Sequence, residues 1–172
     1  MSDKLTLIGK IGFEPTNKTK KHEKQSEWKY IAMVLLDGDI TDYYSWFIKK
    51  RFNLELNNPL RDAHISFIND SYKDLSLQGK RSKEEVTEIW ERVKDRWDGK
   101  EIPIMLNLSP VTNGKYWWLD VHNDYKNKLQ GIRSELGLKK PFYDFHMTIG
   151  FANEKWREHS KYIQTLIKSG LI

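Results

Sequence analysis

Asp62-Ala63-His64-Ile65-Ser66-Phe67-Ile68 and Asp144-Phe145-His146-Met147-Thr148-Ile149-Gly150 are two short stretches built to one pattern. In each, a histidine stands two residues ahead of a hydroxyl side chain, inside an apolar run. Side chains alternate across a strand, so His64 and Ser66 share one face, and His146 and Thr148 share a face of their own strand. Ile65, Phe67, Phe145, Met147 and Ile149 then point the other way, toward an apolar core. Two polar pairs on otherwise apolar strands set the frame for the rest of the chain.

Working outward, each stretch has a similar antecedent. Trp28 to Leu36 is rich in strand formers and ends in the turn residues Asp37-Gly38-Asp39. Asp39 or Thr41 caps a helix running to about Phe52, with Tyr44, Phe47, Ile48 and Arg51 at helical spacing. Asn57-Asn58-Pro59 breaks the chain before the first histidine strand. In the second half, Ile102 to Leu108 and Tyr116 to Val121 flank Asn113-Gly114, which predicts a hairpin between them. Asn123 or Asp124 caps a further helix carrying Tyr125, Leu129, Ile132 and Leu136, with Gly137 as its C′ residue. The second histidine strand follows, and Asn153 opens a last helix with Trp156, Tyr162, Ile163 and Leu166. Strand, helix, histidine strand thus occurs twice, which predicts an α+β fold of two lobes, each offering one polar pair.

Two further elements complete the reading. Leu5 to Phe13 alternates loosely and is expected as the first strand. Ser82-Lys83-Glu84-Glu85 has the form of a capping box and opens a helix through Trp97, with Val86, Ile89, Trp90, Val93 and Trp97 as its apolar stripe. Between them lies the dense basic run from Lys18 to Lys24, expected as a surface loop.

Composition narrows the function classes. The 172 residues suit one domain with a sizeable core, and 38% hydrophobic with 31% charged residues suits a soluble globular chain. No apolar run approaches the roughly 20 residues of a membrane-spanning helix. The opening Met1-Ser2-Asp3-Lys4-Leu5 does not carry the apolar core of a signal peptide, so a cytoplasmic protein is expected. The absence of cysteine excludes a disulfide framework and a thiolate metal site. A formal charge of +5 favours anionic partners.

Histidine is the side chain best suited to moving protons near neutral pH. If the two histidine strands lie side by side, one imidazole can take a proton from a nucleophile while the other gives one to a leaving oxygen. Ser66 and Thr148 then stand where hydroxyls can donate to non-bridging phosphate oxygens. Phosphodiester cleavage needs those four functions. The cluster lacks the set of carboxylates that a two-metal nuclease needs, and neither a metal nor a cofactor is expected.

His64-Ile65-Ser66 and His146-Met147-Thr148, 146 − 64 = 82 residues apart, resemble the paired His-x-Thr/Ser motifs of the two-histidine (2H) phosphoesterases, also called LigT-like. The resemblance covers most of the chain, because the elements between the motifs fall in the family's order; Ser66 stands where threonine is commoner. It implies one domain over residues 1–172, of two pseudo-symmetric lobes, with two antiparallel sheets facing across a cleft and helices packed outside. It also implies a metal-independent hydrolase in which the histidines serve as base and acid while Ser66 and Thr148 hold the phosphate. Family members act on 2′,3′-cyclic phosphates, 2′-5′ linkages and, in phage anti-defence members, cyclic oligonucleotide signals. A nucleotide or RNA-end substrate and a monomer are expected. The alternatives are a phage-type nuclease that degrades cyclic nucleotide messengers, and a basic RNA-binding module that does not cleave.

Four residues are candidates for substrate binding. Arg61, three residues before His64, can neutralise a phosphate, and Tyr143, three before His146, can stack on a base or sugar. Tyr116 and Trp118 share one face of their strand, opposite Trp117 and Leu119; if that face lines the site, Trp118 stacks a nucleobase. His22, His122 and His159 are expected to be bystanders.

Overall fold

A computed structural model describes residues 4–13, 28–59, 62–71, 75, 80–153, 168 and 170. Among the described residues, seven strands and three helices run in the order β1 (Lys4–Phe13), β2 (Trp28–Leu35), α1 (Ile40–Phe52), β3 (His64–Ser71), α2 (Lys83–Trp97), β4 (Glu101–Asn107), β5 (Val111–Thr112), β6 (Tyr116–Asp120), α3 (Asn123–Glu135) and β7 (His146–Phe151). The architecture is α+β, with the strands in one antiparallel sheet of order β4-β1-β2-β3-β7-β6-β5. The two expected sheets are thus continuous here, joined where Ile65 pairs with Met147. The sheet curls as a half-barrel: Leu106 of β4 bridges Val121 just past β6, and the His122 N–H donates to the Met105 carbonyl at 2.8 Å.

One sheet face is apolar and carries the helices. Leu7, Ile11, Phe13, Met33, Leu35, Ile65, Phe67, Ile104, Trp117, Leu119, Met147 and Ile149 are all buried. Trp90 of α2 meets Phe13 edge-on at 5.1 Å, and Phe52 of α1 lies 5.3 Å from Trp117. Tyr44 holds α1 from within, its hydroxyl donating to the Leu108 carbonyl at 2.9 Å. Burial, and then the neighbouring Tyr43, keep that phenol protonated above its ordinary range.

The predicted local signals behave as their chemistry requires. The Ser82 hydroxyl accepts from the Glu85 N–H while the Glu85 carboxylate accepts from the Ser82 N–H, a complete capping box. Gly137, at φ +77°, ends α3 in the left-handed region where a side chain is strained.

Two expectations are corrected. The strand from Ile102 to Leu108 does not form a hairpin with that from Tyr116; it leaves for the sheet's edge beside β1, and Asn113-Gly114 instead turns the short β5 onto β6. Pro103 suits an edge position because it has no N–H to give a second neighbour. The cap of α3 is His122, whose Nδ1 accepts from the Asp124 N–H at 3.4 Å, rather than Asn123 or Asp124. The basic run, the helix expected after Asn153, Arg61, His22 and His159 lie outside the described residues.

The strand-helix-strand repeat is present as β2-α1-β3 and β6-α3-β7, each pairing its two strands as antiparallel neighbours. The helices are exchanged between the repeats: α1 packs on β7 and α3 packs on β3. Arg133 of α3 makes this exchange specific. The residue is 2% exposed, and its guanidinium holds both carboxylate oxygens of Asp70 and also donates to the Phe67 carbonyl of β3 and the Lys139 carbonyl. The same helix therefore ties the first histidine strand to the segment leading into the second.

Candidate active site

The other sheet face carries the polar pairs. His64, Ser66, His146 and Thr148 are each half-buried, while Ile65, Phe67, Met147 and Ile149 between and beyond them are buried in the core. The antiparallel pair Ile65↔Met147 sets their arrangement. By that register His64 stands opposite Thr148 and Ser66 opposite His146. Each imidazole thus faces the hydroxyl residue of the other motif. In a regular ladder the two histidines then lie on a diagonal, as neighbours roughly 7–8 Å apart and with their Cβ atoms somewhat closer.

The two imidazoles are held in the same way. His64 Nδ1 lies 2.7 Å from the Asp62 carbonyl, and His146 Nδ1 lies 2.7 Å from the Asp144 carbonyl. A carbonyl can only accept, so each Nδ1 carries the hydrogen. In each ring Nε2 is then the nitrogen able to take up a second proton. The backbone carbonyl two residues upstream supplies this tether, which is why it recurs in both motifs.

A second shared feature lies just past each hydroxyl. The register of β2 on β3 shifts so that Phe67 is an extra residue between Ser66 and Ile68. The register of β6 on β7 shifts likewise, with Ile149 extra between Thr148 and Gly150. Bulges re-aim side chains and increase local twist. Here both follow directly on the residue that bears the hydroxyl. In sequence the trace is a pair of successive apolar residues, Phe67-Ile68, where strict alternation calls for a polar one.

Around the second motif the face closes into a cavity of about 580 Å³ lined by Asn113, Tyr116, Trp118, Asp120, Tyr143, Asp144, His146 and Thr148. That is a suitable size for a small ligand. Trp118 pairs with Thr148 and Asp120 with His146 across β6 and β7. The Trp118 and Tyr143 rings stand 5.9 and 6.4 Å from the His146 ring, at 57° and 84° to it. The Trp118 indole N–H donates to Asp120 Oδ1 at 3.0 Å, which fixes the ring's plane. Of the expected binding residues, Tyr116, Trp118 and Tyr143 are thus brought together beside His146. Trp117 and Leu119 go to the core.

His64 and Ser66 lie on the same sheet face but outside that cavity's lining. Across β2, His64 pairs with Val34 and Ser66 with Ala32, and Lys10 of β1 lies beyond Val34. Asp120, Asp144 and Asn113 were not singled out by the sequence. The signal for Asp120 is simple alternation, two residues after Trp118 on the same strand face. Among the described residues, no group of three or more His, Asp or Glu side chains is disposed to hold a metal ion, and no helix is long and apolar enough to cross a membrane. The chain matches no protein-family profile, no curated protein and no solved structure.

Proposed function

We propose that the chain is a metal-independent phosphodiesterase of the two-histidine kind, acting on a nucleotide phosphodiester: a 2′,3′-cyclic phosphate, a 2′-5′ linkage or a cyclic oligonucleotide. The observation that carries this reading is the diagonal pair of histidines, each tethered through Nδ1 at 2.7 Å and each facing a hydroxyl of the other strand. A phosphoryl group seated among the four side chains meets an Nε2 on each side. One Nε2 takes the proton of the attacking hydroxyl or water as its oxygen bonds to phosphorus. The other, protonated, gives its proton to the oxygen whose bond to phosphorus breaks. Ser66 and Thr148 donate to the non-bridging oxygens, where negative charge builds. In this reading the halves β4-β1-β2-β3 and β7-β6-β5 are the two lobes of the 2H fold, and the curled sheet forms the cleft between them.

The test is a screen of the purified protein in EDTA against 2′,3′-cyclic mononucleotides, 2′-5′ oligoadenylate and cyclic di- and trinucleotides. His64→Ala and His146→Ala run alongside. Wild type should turn over at least one substrate, and each variant should lose about a thousandfold or more while melting at the wild-type temperature. Undiminished turnover in both variants would overturn the assignment, as would binding of RNA with no cleavage of any substrate.

A further inference from the structure

The proposal above leaves the base unspecified, and the cavity beside His146 holds a residue suited to choosing it. We propose that Asp120 is a specificity residue that reads N–H donors on the substrate's base and so favours guanine. This rests on the phosphodiesterase reading for the place of the phosphate, between the two histidines. The cavity walls supply the rest.

The aromatic end of the cavity is the wrong place for a phosphate. Its acidic lining groups are Asp120 and Asp144, and Lys126, 3.6 Å from Asp144, already serves that carboxylate. Two carboxylates repel further negative charge, so the neutral part of a nucleotide belongs here. Trp118 provides the flat surface for it. Its indole N–H points at Asp120 Oδ1, so the carboxylate sits at the edge of the ring. A base stacked on the indole therefore presents an edge toward Asp120, whose Oδ2 is the acceptor offered to it.

An ionised carboxylate only accepts hydrogen bonds. Guanine presents two neighbouring donors, N1–H and N2–H, on one edge and matches it best. Cytosine and adenine offer an amino group beside a ring nitrogen that only accepts. Uracil sets its single N–H between two carbonyl oxygens, which the carboxylate repels. The pairing of a carboxylate with a donor edge is typically strong enough to discriminate about tenfold or more.

The experiment measures binding of 3′-GMP, 3′-AMP, 3′-CMP and 3′-UMP to the full chain by tryptophan fluorescence and calorimetry, with inorganic phosphate as the control for the phosphate contribution. Wild type should bind 3′-GMP about tenfold more tightly than 3′-UMP. Asp120→Asn, whose amide oxygen still accepts from the indole, should lose that preference while retaining affinity for 3′-UMP. Trp118→Phe keeps a ring and removes the N–H that fixes the carboxylate; it should weaken the preference, and it serves as the second variant if Asp120→Asn does not fold. Equal binding of all four nucleotides by wild type overturns the proposal. So does an equal loss for all four in Asp120→Asn, or no binding at all. A guanine preference that depends on Asp120, in a protein that cleaves no phosphodiester, would sink the enzymatic reading and leave the base-reading site standing.

Discussion

The two histidine motifs are alike within a few ångströms of the imidazole and unlike beyond it. Both fix Nδ1 on the carbonyl two residues upstream at 2.7 Å, and both are followed by a one-residue bulge. Past that radius, His146 has Trp118, Tyr143 and Asp120 around it, whereas His64 looks across Val34 toward Lys10. Proton transfer is a local task, and the local geometry is duplicated. Substrate choice needs shape and charge at longer range, and there the copies part. Under the proposed phosphodiesterase reading, the likeness marks the chemistry and the difference marks the specificity.

The largest effect tests the likeness. If the histidines act as one unit, His64→Ala and His146→Ala each lower turnover about a thousandfold or more, and the double variant is little worse than either. Single-turnover rates on the best substrate from the EDTA screen give the comparison. Additive losses would mean that the two imidazoles work on separate steps.

The next effect concerns what braces the first histidine strand. Arg133 belongs to the second repeat yet clamps the bulge of the first, through the Phe67 carbonyl and Asp70. Arg133→Met leaves Asp70 without its cation in a partly buried position, a loss of about 3 kcal/mol. Urea denaturation should show the midpoint falling with an unchanged slope. The second bulge is supported by backbone instead: a Cβ on Gly150 would lie 2.6 Å from the Asn57 carbonyl oxygen. An Arg133→Met protein as stable as wild type would show that one clamp suffices.

Much of the local structure was legible in the chain, and the reasons are physical. Alternation alone put His64 with Ser66, His146 with Thr148, and Trp117 with Leu119. The capping box at Ser82 and the glycine at 137 announce helix ends because they satisfy or permit a backbone that few other residues would. What the sequence did not disclose depends on partners distant along the chain. Nothing in Ile102 to Leu108 says that it pairs with β1 rather than β6, since both are apolar, alternating strands. The exchange of α1 and α3 between repeats is likewise a matter of packing. Asp120 is inconspicuous in the chain because an aspartate at the end of a strand is ordinarily a turn residue; only the folded register sets it opposite His146.

The difference between the motifs is tested by paired truncations at matching places. Trp118 stands across from Thr148, and Val34 stands across from His64. Trp118→Ala removes a base-sized surface and should raise KM about tenfold, in keeping with stacking energies of roughly 1–3 kcal/mol per base. Val34→Ala, on the side that shows no aromatic wall among the described residues, should change KM less than about twofold, the scale of a half-buried substitution away from the base. Steady-state kinetics on one mononucleotide substrate decides it. Equal effects at both positions would mean that the base is held symmetrically and that the cavity beside His146 is not its seat.

The smallest effect asks whether the remaining chemical difference between the motifs, serine in one and threonine in the other, means anything. Ser66→Thr and Thr148→Ser both keep the hydroxyl that the proposed function assigns to the phosphate. They exchange a methyl that stiffens the side chain at its first torsion. Each should change kcat/KM less than about threefold, under roughly 1 kcal/mol of barrier, whereas Ser66→Ala and Thr148→Val should each cost about tenfold or more. A swap that costs as much as losing the hydroxyl would show that the methyl, and hence a fixed rotamer, carries the function. The two hydroxyls would then be unequal parts of the phosphate seat, and the symmetry of the motifs would end at the imidazoles.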